Sequence, residues 1–290
     1  MDPIEILSRI RKIDIKSKAM AQEYLAGNKL SSFLARGMSF SEVRAYQIGD
    51  DVRTIDWNVT ARTGSPHVKL FEEERQLTLM LLIDVSGSTL SGSELLNKKD
   101  FISELSGILS YSALSEQDQV GAILFSDKIE TVVQASKKRS QVFNIINHIF
   151  QVDNTGKKTN LDLAINYLCK IQKRRCMVIV ISDFISDDYQ KSLSMAAMRH
   201  DVMALRIEDT LDIQLPAVGL LPVKDLENGQ IRWIDSSDQT SKTVWENVSR
   251  KRNLAFLSAC RKAGVNHLTL KPNEHWITKM VGFFQRKLVQ

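Results

Sequence analysis

The sequence predicts an α/β fold, a mainly parallel sheet with helices on both faces. Three observations carry that expectation. Residues 77–83, apolar apart from Thr78, form a run without helical periodicity, which reads as a strand buried on both faces, the kind found at the centre of a parallel sheet. Segments with apolar residues at helical spacing alternate with further short apolar runs through most of the chain, as in a parallel sheet covered on both sides. Short polar residues then crowd the point where the first run stops: Asp84, Ser86, Gly87 and Ser88. In open α/β sheets ligands lie outside the carboxyl ends of the strands, so this point is a candidate site.

Taken in order, Asp2, Pro3 and Glu5 make a good helix start, with an N-cap carboxylate, proline in the first turn and negative charge at the positive end of the helix dipole. Ile4, Leu7 and Ile10 share one face, and Gly27 marks a break. A loop-rich stretch follows at residues 29–39. Residues 40–57 are dense in Arg and Asp. Arg44, Arg53 and Arg62 are expected to pair with Asp50, Asp51 and Asp56, holding an irregular arm against the main body with Tyr46 and Trp57 as anchors. Residues 68–71 suit a short edge strand.

After the strand at 77–83, the spacing of Leu95, Leu96, Ile102, Leu105, Ile108 and Leu109 predicts a crossover helix over 93–115. Strands at 120–125 and 129–133 form a hairpin around Ser126-Asp127-Lys128. Helices are expected at 142–150 and, beyond a polar loop at 153–160, at 161–171. A buried strand at 177–181, a helix at 189–200 and a strand at 202–207 follow. Glu227-Asn228-Gly229-Gln230 lies between alternating runs and marks an added hairpin within 220–235. The chain ends with a helix over 243–263 closed by Gly264, a strand at 267–270, and a helix over 275–288 with Trp276, Met280 and Phe284 on one face. The organisation expected is an N-terminal helix and arm, residues 1–75, packed on a main domain, residues 76–290.

Composition bounds the function. The 290 residues are 43% hydrophobic and 25% charged, ordinary for a globular protein, with no apolar run long enough for a membrane span. The acidic start lacks a secretory signal, and three cysteines without metal-ligand spacing suit reduced thiols, so the reading is cytoplasmic. The net charge of +5 is uneven: residues 250–290 hold nine Lys or Arg against one Glu. This segment is read as a solvated face or a contact for an acidic protein. It lacks the aromatic interleaving of a nucleic-acid site.

The chemistry lies at strand ends. Asp84, Ser86 and Ser88 can turn three hard oxygens toward one point if the loop curls, which Gly87 permits, and converging hard oxygens suit Mg²⁺ or Mn²⁺. Singly, each residue has a plainer role. The serines can cap a helix, Thr159 with Asp162 can be a helix-cap pair, and Asp183 can begin a turn.

Together, Asp84-x-Ser86-x-Ser88, then Thr159, then Asp183 at a later strand end, resemble the metal-ion-dependent adhesion site of von Willebrand factor A-like domains, which are Rossmann-like. The resemblance implies that the Ser86, Ser88 and Thr159 hydroxyls reach a metal while Asp84 and Asp183 act directly or through waters, leaving one coordination position open. The arm narrows the match. Arg44-Ala45-Tyr46, Gly49-Asp50-Asp51-Val52-Arg53, Ile55-Asp56-Trp57, Ala61-Arg62 and Glu72-Glu73-Glu74 resemble the hallmark of the prokaryotic domain-of-unknown-function family fifty-eight, whose members are typically encoded beside MoxR-type AAA+ ATPases. The arm residues Arg44, Asp51, Arg53, Asp56, Trp57 and Arg62 serve either as a clasp or as a partner-binding surface.

Two functions compete. In the first, the chain is a non-enzymatic interaction module whose Mg²⁺ or Mn²⁺ takes a carboxylate from a partner. The resemblance implies a MoxR-type ATPase or an acidic client, in a chaperone-like or assembly role. No general base stands beside a nucleophile. The rival is a Mg²⁺-dependent phosphatase of the haloacid-dehalogenase type, with Asp84 as nucleophile, Ser126 as the second-strand hydroxyl and Ser182-Asp183-Phe184-Ile185-Ser186-Asp187 as the late motif. It fails at Ser86, where that family places an acid-base Asp.

Overall fold

The computed structural model describes residues 3–25, 43–47, 50, 52, 55–69, 77–87, 98–152, 158–216, 218–224, 231–272 and 275–287. Among them the elements run α1 (Pro3–Leu25), β1 (Val43–Ala45), α2 (Trp57–Thr63), β2 (His67–Lys69), β3 (Thr78–Asp84), α3 (Lys98–Ser115), β4 (Gln119–Phe125), β5 (Ile129–Ser136), α4 (Ser140–Gln151), α5 (Leu161–Ile171), β6 (Met177–Ser182), α6 (Gln190–Arg199), β7 (Asp201–Ile207), α7 (Thr210–Ile213), β8 (Leu220–Lys224), β9 (Ile231–Asp235), α8 (Gln239–Ala263), β10 (Asn266–Leu270) and α9 (Trp276–Lys287). The six-stranded sheet has the order β10-β7-β6-β3-β4-β5. It is parallel throughout except for β5, which lies antiparallel on the β4 edge. This is the von Willebrand A-like architecture expected.

The apolar run at β3 is central because both its faces are covered. Leu79, Leu81 and Ile83 point into one apolar layer, shared with α3, α4 and α9. Met80 and Leu82 point into the other, shared with α5, α6 and α8. Alternate side chains of a strand face opposite ways, so a strand sandwiched between helices is apolar throughout. Where β4 meets β5 the register shifts between Val120 and Ala122. A Cβ on the intervening Gly121 would come within 2.8 Å of the Met80 sulfur and 2.9 Å of the Val133 carbonyl, so this bulge needs glycine.

Helix α1 lies on α3 and α4. Ile13 and Ala21 are buried, the Tyr111 hydroxyl donates to Asp14 at 2.6 Å, and Lys16 pairs with Glu104 at 2.8 Å. Gly107 sets the approach, since a Cβ there would lie 2.6 Å from the Ser17 hydroxyl oxygen.

Several boundaries differ from expectation. The strand expected at 68–71 is His67–Lys69, and it pairs with Val43–Ala45 in a separate two-stranded sheet, not with the main sheet. The arm expected to be irregular contains α2, capped by the Asp56 carboxylate through Asn58 and Val59 N–H groups and closed by Gly64 at φ 73°. The helix expected from residue 243 starts at Gln239, capped by Asp238. Strands β8 and β9 form the added hairpin, while its turn at 225–230, the loop at 29–39, Gly27 and the start of the crossover helix lie outside the described residues. All three cysteines are free and buried, and among the described residues no helix is long and apolar enough to cross a membrane.

A polar strand-end site at the carboxyl edge of the sheet

Strands β3 and β6 are neighbours in parallel register, so their ends deliver Asp84 and Ser182-Asp183 to one edge. Asp84 is fully buried. Its Oδ1 accepts the Ser86 N–H at 2.9 Å, which curls the loop back on the strand end, and its Oδ2 accepts the Ser182 hydroxyl at 2.6 Å. The Ser182 oxygen in turn accepts the Phe184 N–H at 2.9 Å, and Asp183 Oδ1 accepts that of Ile185 at 2.9 Å. Phe184 takes a left-handed backbone at φ 58°, an uncommon state for a bulky side chain. Two rings pack against it, Tyr189 at 5.8 Å and Phe256 at 4.7 Å between centroids.

The third loop brings Thr159, whose hydroxyl donates to the Ser86 hydroxyl at 2.8 Å. Its position is fixed from two directions. The Asn160 N–H donates to the Ser126 carbonyl at 2.8 Å, and the Ser186 hydroxyl donates to the Thr159 carbonyl at 3.1 Å while accepting the Leu161 N–H at 3.2 Å. Asn160, and not the alternative pair of Thr159 with Asp162, caps α5 by accepting the Leu163 N–H at 3.0 Å. The structure thus brings together Asp84, Ser86, Thr159 and Asp183. Ser88 lies outside the described residues.

These polar groups are deeper than a loop-end site suggests. Asp84 and Ser86 have no exposed surface and Asp183 is 4% exposed, so these strand-end groups belong to the core. Burial raises the Asp84 carboxyl above its ordinary range, the neighbouring Asp183 charge raises it further, and hydrogen bonds from Ser182 and Ser86 oppose both. Two acids crowded together in low dielectric favour a shared proton or a cation. Among the described residues no three His, Cys, Asp or Glu side chains gather as ligands. The donor set is therefore two carboxylates with hydroxyls, chemistry suited to a hard cation that keeps waters and poor for a soft one.

Ser182, Asn160 and Ser186 were not anticipated as supports. Only Ser182 carried a signal, its place immediately before Asp183 at a strand end. The phosphatase arrangement finds no support. Asp84 is enclosed, with a hydrogen bond on each oxygen, and the Ser126 hydroxyl is directed at Asp127 and Glu130, 3.0 and 2.6 Å away.

The arm residues do separate work. Arg44 grips Asp50 with two bonds of 2.8 and 2.7 Å, and this fork, with the Gln47 N–H, holds the Asp50 carboxyl below its ordinary value. The Asp56 carboxylate caps α2. Trp57, expected as an anchor, is 70% exposed, and Arg62 is exposed in the last turn of α2. Asp51 and Arg53 lie outside the described residues.

The sheet order is that of a von Willebrand A-like fold. A family model described as "Protein of unknown function DUF58" matches residues 42–254, and the chain belongs to that family. It is 28% identical over 286 residues to the uncharacterized protein Rv1480 of Mycobacterium tuberculosis, covering 98% of this chain and 90% of that one. Among solved structures it is similar to BatB from Bacteroides thetaiotaomicron, with a TM-score of 0.49 and 13% identity over 74% of this chain and 100% of that one. It is also similar to the manganese-loaded TRAP protein of Plasmodium vivax, with a TM-score of 0.37 and 14% identity over 45% of this chain and 57% of that one.

Proposed function

We propose that the protein is an interaction module that binds one divalent cation, Mg²⁺ or Mn²⁺, at its carboxyl sheet edge and offers the open position to a partner's carboxylate. The observation that carries this reading is the convergence of Asp84, Ser86, Thr159 and Asp183 from three loops, with the Thr159 and Ser86 hydroxyls 2.8 Å apart and the two acids close enough for one to raise the other. Asp84 and Asp183 would supply countercharge, and Ser86, Ser88 and Thr159 neutral oxygens. A cation there relieves the repulsion between two buried acids, which is the chemistry the cation would supply. The hydroxyls add no further negative charge, so the open position can still take an incoming carboxylate.

The partner is an acidic surface of a MoxR-type AAA+ ATPase or of its client, in a chaperone-like or assembly role. That assignment is supported by the arm motifs and family membership. Among the described residues the site holds no activated nucleophile, which supports binding over turnover. Calorimetry with Mg²⁺ and Mn²⁺ tests the first step. Wild type should bind one ion, and Thr159→Ala, which removes one half-buried hydroxyl, should weaken it about tenfold. Equal binding by Thr159→Ala and wild type, or none by either, would sink the assignment. Pulldown of the ATPase with and without chelator tests the partner.

A further inference from the structure

Helix α8 has 25 residues and is about 37 Å long, yet it packs on the sheet through only part of its length. Phe256, Ala259 and Cys260 are buried, whereas before Phe256 only Ser249 is. Gly264, in a left-handed cap, turns the helix directly into β10, so α8 runs antiparallel to the strands and begins at their carboxyl edge. Two bonds fix its level. Arg206, in register with Ser182, donates to Asn253 at 2.8 Å, and the Trp245 indole N–H donates to the Leu211 carbonyl, beyond the end of β7, at 3.0 Å. Residues 239–252 therefore rise past the edge that carries Asp84 and Asp183, a projection of about 20 Å.

The projecting stretch has two distinct sides. Trp245, Ser249, Asn253 and Phe256 share the inner side. Val244, Val248 and Ala255 share the outer side at spacings of four and seven, Leu254 lies on its margin, and Lys251 stands between them, a mixed apolar and basic helix face. Val244 is 58% exposed, Val248 43% and Leu254 60%, and Arg250, Lys251 and Arg252 are exposed beside them, with Glu246 as the acid of this stretch.

We infer that the outer face of α8 docks an acidic amphipathic helix of a partner protein, with Val244, Val248 and Leu254 against its apolar side and Arg250, Lys251 and Arg252 against its carboxylates. A second copy of the same basic face would set like charges together. Duplex DNA gives the valines and Leu254 nothing to bury against, and Trp245 is tied inward, away from any base stack. Opposite charge would speed association and make it salt-sensitive. The surface needs no cation.

The test uses the full chain in EDTA, so its outcome is independent of the cation site. A labelled four-heptad peptide, leucine at the seam and glutamate beside it, should bind at low salt. Binding should weaken at least about tenfold in Arg250→Glu/Lys251→Glu/Arg252→Glu and in Val248→Asp, with melting temperatures unchanged because these side chains are exposed. A lysine-flanked peptide should not bind. Absence of binding, equal binding of the lysine peptide, indifference to both variants, or tighter binding of duplex DNA or phosphatidylserine vesicles through the same residues would overturn the proposal.

Discussion

Each edge of the parallel sheet buries an aspartate, and the two differ in their company. At the carboxyl edge Asp84 sits beside a second acid and accepts from Ser182 and Ser86. At the amino edge Asp118, just before β4, is 7% exposed and accepts the Leu77 N–H at 3.1 Å. Burial pushes the Asp118 carboxyl up to about 6, against the Leu77 bond, with Glu116 adding to the rise and Lys137 opposing it. Both carboxyls are raised, so a raised carboxyl is first of all a statement about burial. What marks a site is convergence. Asp84 accepts from Ser86 and Ser182 and lies beside Asp183, and Ser86 in turn accepts from Thr159 of a third loop, whereas Asp118 holds one backbone group where the chain enters the sheet.

The largest effect expected is at Asp84. Asp84→Asn keeps the shape and an acceptor for the Ser86 N–H while removing one of two crowded buried charges. Without metal the variant should melt higher than wild type near neutral pH, by about 1 kcal/mol of added stability. With Mg²⁺ it should gain nothing, its affinity falling at least about a hundredfold for the loss of a charged ligand. Calorimetry and melting with and without Mg²⁺ read both signs. A variant that Mg²⁺ still stabilises would break the contrast between the two edges.

Asp118 gives the complementary result, through pH. Its folded carboxyl titrates at about 6 against 3.8 for the ordinary group, so the native state binds more protons between those values. Stability should fall as pH rises through that window and level off above about 6. At about 1.4 kcal/mol per pH unit, discounted for the solvent that screens a partly buried carboxyl, the fall is about 1 kcal/mol. Asp118→Asn, which can still accept from Leu77, should remove the Asp118 share of this fall, leaving that of Asp84, and raise stability at pH 7, and Mg²⁺ should not alter the difference. Urea titrations of wild type and variant from pH 4 to 7.5 measure it. A slope unchanged in Asp118→Asn would assign the fall to another group.

The contrast also explains what could be read from sequence. Continuous apolar strands such as residues 79–83 declare a two-sided burial, and the spacing of Asp84, Ser86, Thr159 and Asp183 survives because each lies at a strand or helix end. The Ser182 bond to Asp84 spans 98 positions and depends on the register of β3 with β6, which no local pattern encodes. Helix α2 escaped because none of its residues is buried, leaving no apolar periodicity to detect. The first turns of α8 escaped for the same reason. Their capping residues, Asp56 and Asp238, were the available signals. Acid and arginine density in the arm points to ion pairs, of which Arg44 with Asp50 is one, and leaves the capping role of Asp56 unannounced.

The smallest effects should come from that arm, and there two adjacent residues divide structure from surface. The Asp56 carboxylate accepts the Asn58 and Val59 N–H groups at 2.9 and 3.3 Å, two donors at a helix start with no partner inside the helix. Asp56→Ala should therefore destabilise the chain by about 1 kcal/mol. Trp57, 70% exposed, should tolerate Ala with a change below about 0.5 kcal/mol. An indole this large leaves water only if something covers it, so a partner-binding arm would show the reverse order in binding: Trp57→Ala weakening capture of the partner at unchanged melting temperature, and Asp56→Ala acting only as far as it unfolds α2. Melting curves and partner titrations on the two variants separate the roles. If Trp57→Ala instead lowers stability as much as Asp56→Ala, the arm is a clasp and the exposed indole packs against the chain itself.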